Sequence, residues 1–199
     1  MRHPVRTGVD TEGERWHGGA MSDDLARPAP EVELVELSPA VLHALALGNL
    51  AAANRQLTIT LTPYFVAPES IGVWRRRSRQ LEADPGAASW ITRAIVDRTQ
   101  RQAVGRAGFH GPPDDGGMVE VGYAVDPAYR RRGYARAALR ALLDRAEREA
   151  AVRIVRASIR PDNVASRRLV TQLGFVAVGE QWDAEDGREI IFEVDLKHA

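Results

Sequence analysis

Arg130-Arg131-Arg132-Gly133-Tyr134-Ala135 is the stretch on which the fold turns. It lies between a strand-like run, Met118 to Val125, and an amphipathic helical pattern that continues to about Ala150. A strand, a basic glycine-containing turn and a helix N-terminus together form a site for a phosphorylated ligand. The amides of the turn and the positive end of the helix dipole converge where a diphosphate would sit. Glycine allows close backbone approach, and Ala135 keeps the first helical turn narrow.

Working outward, Asp126-Pro127 ends the preceding strand, because proline cannot continue the ladder. In the following helix Leu139, Leu142, Leu143 and Ala146 recur at the spacing of one helical face. Arg140/Asp144 and Arg145/Glu149 add i, i+4 support. Arg153 to Ile159 reads as the next strand, so strand, helix and strand make a parallel pair with a right-handed crossover. A short helix is predicted from Asn163 to Leu173, with Ala165, Leu169 and Leu173 facing the core and Gly174-Phe175 closing its end. Phe175 to Trp182 and Glu189 to Leu196 flank Asp186-Gly187 as a hairpin.

Upstream, Glu31 to Leu37 alternates as a half-buried strand does. Ser38-Pro39 marks a helix start and Gly48 its stop. A second helix is predicted from Pro68-Glu69, with Ile71, Trp74 and Leu81 inward and Arg75, Arg76, Arg77 and Arg79 spread over the other faces, read as solvated, with contact to an acidic substrate as the alternative. Ala88 to Val96 and Gln102 to Phe109 read as an antiparallel pair of strands. Residues 1–30 carry charge, glycine and proline with little periodicity and read as a disordered extension, with Met21 as an alternative start; residues 31–199 form one domain. The fold class is α/β with α+β character. One mixed, mostly antiparallel sheet of six to seven strands contains one parallel pair and carries helices on both faces.

Composition narrows the function. The 27 basic and 27 acidic residues cancel, which argues against a nucleic-acid or membrane partner. Lys197 is the single lysine, so anions would be held by arginine forks. Without cysteine there is no disulfide framework, no thiolate metal site and no thiol nucleophile for a covalent acyl-enzyme. The five histidines are scattered and give no metal-ligand spacing. With no apolar run of about 18 residues and no secretory leader, the expected setting is cytoplasmic.

The order Arg130-x-x-Gly133-x-Ala135, then Asn163-Val164-Ala165-Ser166, then Gly174-Phe175, with Gly105 and Phe109 upstream, resembles the GNAT N-acetyltransferase superfamily over roughly Glu31 to Leu196. The likeness is greatest to its RimJ/RimL branch of ribosomal-protein alanine acetyltransferases. The resemblance implies acetyl-CoA as co-substrate and no metal. The amides of Arg130, Arg131, Arg132, Gly133, Tyr134 and Ala135 would hold the pyrophosphate. Ala124 and Val125 would pair with the pantetheine arm and offer an amide to the thioester oxygen, in a gap where their strand splays from Ile159. Asn163 would touch the pantetheine, and Ser166 would lie near the sulfur.

An amine attacks a thioester only as the free base, so the protein must take a proton, steady an oxyanion and return a proton to a thiolate. Glu120 is the expected base, on a strand face with Gly122 and Ala124, whose small size leaves room for substrate; His110 is the alternative. For the acid, many relatives use a tyrosine where Val170 stands, which leaves Ser166, Tyr134 and water. The expected acceptor is a primary amine, either a protein N-terminal α-amine or a small amine. A non-catalytic acyl-CoA sensor is the competing reading. The expected assembly is a monomer or a homodimer.

Overall fold

The computed structural model describes residues 29–185 and 187–196. The predicted extension before residue 29 and the turn position Asp186 lie outside the described residues. The main strands are β1 (Val32–Val35), β3 (Arg93–Asp97), β4 (Gln102–Phe109), β5 (Met118–Val125), β6 (Ile154–Ile159), β7 (Val176–Asp183) and β8 (Gly187–Asp195). They run in the order β1-β3-β4-β5-β6-β8-β7. The two-residue β2 (Thr60–Leu61) joins β4 in parallel off this path, which makes the sheet eight-stranded where six to seven were expected. Only the β5–β6 junction of the main path is parallel, and the helix that crosses it makes that pairing possible.

Both faces of the sheet are buried at β3 and β4. Ile95 and Val104 face one core, with Leu139 and Leu142 of α4 (Tyr134–Glu147). Their neighbours Ala94, Val96 and Ala103 face the other, with α1 (Pro39–Ala46) and α3 (Pro68–Ala83). The alternation of side chains along a strand assigns each residue to its core. The Ser38 hydroxyl accepts from the Val41 amide at 3.3 Å and caps α1, with Pro39 in the first turn. Trp74 of α3 is wholly buried, stacked 5.7 Å from Phe65, and its indole donates to the Phe65 carbonyl at 2.7 Å.

Several expectations are corrected. The strand predicted from Ala88 begins at Arg93, because Pro85–Ser89 form a 3-10 turn, with the Asp84 side chain accepting from the Gly86 amide at 2.9 Å. A five-residue helix, α2 (Leu50–Asn54), follows Gly48 at once, capped by Asn49. Arg77 is not on a solvated face: it is 5 % exposed. Its guanidinium donates to the Thr92 hydroxyl at 3.0 Å, the Gln80 side chain at 2.8 Å and the His110 carbonyl at 3.0 Å. Burial and then the neighbouring Arg76 charge lower its pKa to about 10. In α5 (Val164–Gln172) it is Val170 that is buried, while Ala165 is exposed and Leu169 half-buried. Leu169 and Leu173 pack against the core from this half-buried face as expected, while Ala165 and Leu169 also line the cavity beside the β5 end.

Tyr134 illustrates how a site residue is fixed by a distant contact. Its hydroxyl donates to buried Asp97 Oδ2 at 2.6 Å, tying the start of α4 to β3. Burial acts to raise the Asp97 pKa, but this bond and the Gln100 and Thr99 amides outweigh it, and the pKa is lowered. A lowered carboxyl pKa contributes stability that is present above the unfolded value and lost as pH falls. Tyr134→Phe should therefore cost about 1–3 kcal/mol at neutral pH. It should also flatten the acid side of the stability profile, which urea denaturation at pH 4 and pH 7 would measure.

Candidate active site

The β5–β6 pairing stops early. Met118, Val119 and Glu120 pair with Ile154, Val155 and Arg156, and no further register follows. On its other edge β5 continues to pair with β4 as far as Val125 opposite Gly105. The strand therefore has one satisfied edge and, beyond Glu120, one without a strand partner. Unpaired strand backbone is a ready partner for an extended ligand.

Beside this opening lies a cavity of about 530 Å³. Ala124, Val125, Arg130, Arg131, Gly133, Tyr134 and Ala135 line it from β5 and the start of α4, and Asn163, Ala165, Ser166 and Leu169 from α5. Gly133 is the N-cap of α4 with φ +86°, the left-handed region that favours glycine, and it offers no capping side chain. The first amides of the helix are thus left for a ligand. Arg131 shares the positive φ, at 60°. Arg130 Nε donates to the Val125 carbonyl at 3.1 Å, so this side chain braces the strand end. Arg132 lies 5.2 Å over the Tyr129 ring and does not line the cavity. Arg136, which the sequence reading did not single out, does line it and is joined to Gln172 of α5. The Asn163 oxygen accepts from the Ser166 amide at 3.1 Å as the cap of α5, which leaves its NH₂ and one oxygen lone pair for a ligand.

A second cavity, of about 520 Å³, opens on the other side of the seam. Glu120, His110, Gly122, Ser158, Gln181 and Glu189 line its interior, and Arg76 and Glu185 form an ion pair at its rim. The two cavities share Tyr123, Asn163 and Ser166 as a common wall.

The carboxylate of Glu120 is about a quarter exposed, and its Oε2 lies 3.8 Å from His110 Nδ1. That distance exceeds an ordinary hydrogen bond and suits an ion pair once the imidazole is protonated. Burial pushes the Glu120 pKa up, but the His110 side chain, the Ser158 hydroxyl and the Arg156 charge outweigh it, and the pKa is lowered. Glu120 is therefore ionised at neutral pH, a good partner for a cation and a weak base on its own. His110 is well held: its amide donates to the Glu120 carbonyl at 2.8 Å, and its own carbonyl accepts from Arg77 and from Gln80. The space above Gly122, expected for substrate, is occupied by this imidazole, since a Cβ at 122 would sit 2.7 Å from His110 Nε2. Gly122→Ala should displace the ring and lower kcat/KM on the order of tenfold with little change in Tm, which steady-state kinetics beside a melting curve would check.

Of the expected acids, Tyr134 is committed to Asp97. Val170 is fully buried in the core, so α5 presents no hydroxyl at that position. Among the described residues, no group of three or more His, Cys, Asp or Glu is placed to hold a metal ion. No helix among them is long and apolar enough to cross a membrane.

A family model described as the acetyltransferase (GNAT) domain matches residues 33–176, which include the splayed strand, the α4 turn and α5. The chain belongs to the GNAT acetyltransferase family. This GNAT chain is 33% identical over 108 residues to the uncharacterized N-acetyltransferase YjdG of Bacillus subtilis (strain 168), covering 54% of this chain and 62% of YjdG. It is 40% identical over 70 residues to L-2,4-diaminobutyric acid acetyltransferase of Streptomyces coelicolor, covering 35% of this chain and 38% of that enzyme. The chain thus matches less than two thirds of either relative's length. Among solved structures, Mycobacterium smegmatis RimJ in complex with CoA-disulfide shares the GNAT fold with TM-score 0.60 and 19% identity, over 84% of this chain and 83% of RimJ.

Proposed function

We propose that the protein is an N-acetyltransferase that moves the acetyl group of acetyl-CoA directly onto a primary amine. The observation that carries this reading is the pair of cavities meeting at the opened β5–β6 seam, one beside a glycine-capped helix start and the other lined by carboxylates. A diphosphate would lie on the free amides at Gly133, Tyr134 and Ala135. The pantetheine arm would then run along the unpartnered edge of β5 near Ala124 and Val125, delivering its thioester to Tyr123, Asn163 and Ser166.

The acceptor arrives in water largely as an ammonium ion. At pH 7 only about one-tenth of an α-amine is neutral, and well under a thousandth of a lysine amine. Glu120 and Glu189 give the second cavity an anionic interior that draws this cation in. Because the Glu120 pKa is lowered, His110 or a water molecule takes the proton while Glu120 stabilises the resulting charge. An amide at the β5 end near Ala124 and Val125 would steady the tetrahedral oxyanion. The resemblance of the sequence motifs to the RimJ/RimL branch favours a protein N-terminal α-amine as acceptor, and the carboxylate-lined cavity also suits a small cationic amine such as a diamine.

Release of free thiol from acetyl-CoA tests the reading, with alanine-terminated peptides and short diamines as separate acceptor panels. Thiol release with one panel names the acceptor class. Coenzyme binding without release from either would show an acyl-CoA sensor, and no binding would remove both readings.

A further inference from the structure

Tyr123 carries a hydroxyl that the fold leaves unanswered. The chain has four tyrosines. Tyr64 accepts from Arg106, Tyr129 donates to Gln102 and Tyr134 donates to Asp97. The Tyr123 hydroxyl is shielded from solvent and has no hydrogen-bond partner. Such a group costs free energy in the folded protein, and replacement by phenylalanine would remove that cost. Its position explains why it stays: Tyr123 is part of the wall shared by the two cavities, beside Ser166 and Asn163.

Burial raises the Tyr123 pKa, and the nearby Ser166 hydroxyl offsets only part of that rise, although no hydrogen bond of ordinary geometry joins the two. The phenol therefore keeps its proton across the physiological range. Tyr123 lines both the cavity proposed for the coenzyme and the one proposed for the acceptor, with its hydroxyl shielded just behind that shared wall, and the leaving sulfur would emerge beside it.

We propose that Tyr123 is the group that protonates the departing coenzyme sulfur. This rests on the acetyl-transfer reading above. The acceptor nitrogen forms a bond to the thioester carbonyl carbon, and the carbon–sulfur bond breaks with its electron pair moving to sulfur. The Tyr123 O–H proton passes to that sulfur. The phenolate recovers a proton from solvent, balancing the one shed by the acceptor nitrogen through His110 or water. Amide and free thiol result, with no other reactant consumed. The buried Val170 leaves α5 without a competing phenol.

Tyr123→Phe deletes the hydroxyl alone. The variant is expected to melt no lower than the parent and to keep its KM for acetyl-CoA within about twofold, while kcat falls on the order of a hundredfold. Calorimetry adds a readout independent of turnover: the parent should bind CoA several-fold more tightly than desulfo-CoA, and Tyr123→Phe should bind the two alike. A kcat within about twofold of the parent, or an undiminished preference for CoA in the variant, overturns the assignment. If the parent itself releases no thiol from any amine, acetyl transfer and this role fall together. If parent and variant are equally active, only the role of Tyr123 falls.

Discussion

Gly133→Asp is expected to abolish coenzyme binding. Two effects act in the same direction. The new carboxylate would stand at the amides proposed to receive the diphosphate, so repulsion would replace attraction at the positive end of the α4 dipole. The backbone there has φ +86°, which costs a non-glycine residue roughly 1–2 kcal/mol. A Cβ at this position would also meet Pro30 Cδ at 3.0 Å, although that ring stands at the surface and needs to shift by only a few tenths of an ångström. Gly133→Ala carries the backbone strain without the charge and separates the two. Titration calorimetry should give Gly133→Ala a Kd raised on the order of tenfold and Gly133→Asp no measurable binding. Both should keep a cooperative melt, because the turn is exposed and the cores under α4 do not involve residue 133. An Asp variant with parental affinity would place the diphosphate elsewhere.

Glu120→Gln should lower kcat/KM on the order of a hundredfold, with a change in its pH dependence. Since the pKa of Glu120 is lowered, its carboxylate is charged across pH 6–9 and its own protonation cannot shape the profile there. In the proposed reaction its effect would be to favour a cation in the second cavity, first the arriving ammonium and then the group that takes its proton. The glutamine keeps the shape and loses the charge, so the amine would have to enter as free base unaided. The profile should then rise more steeply toward alkaline pH. A stability signature accompanies this: a lowered carboxyl pKa contributes stability present above the unfolded value of about 4.3 and lost on acidification, and the glutamine lacks it. Unaltered kcat/KM from pH 6 to 9 would leave His110 and solvent to handle the proton without Glu120.

How far this could be read without coordinates follows from the range of the forces involved. The β1 alternation, the α4 stripe of Leu139 and Leu142, and the Asn163 and Gly174 signals at the two ends of α5 all act within a few residues, and the elements appear where those patterns place them. The late start of β3 was hidden because Ala88 to Ile91 are as apolar as a strand, while the Asp84–Gly86 bond bends them into a turn. The α2 helix, at five residues, is too short for a periodic signal.

The chain's order of residues alone determined the α/β class, the basic glycine turn at Arg130 to Ala135 and the pairing of that turn with α5, because each depends on local spacing and on a handed crossover. Tertiary structure alone decided that Arg77 is buried beneath His110, that the imidazole covers Gly122, and that Tyr134 is tied to Asp97 while the Tyr123 hydroxyl is left without a partner. Those outcomes join residues 12 to 37 positions apart, or depend on what is missing around one atom. Hydrogen bonds and burial at such separations exist only once the sheet has assembled.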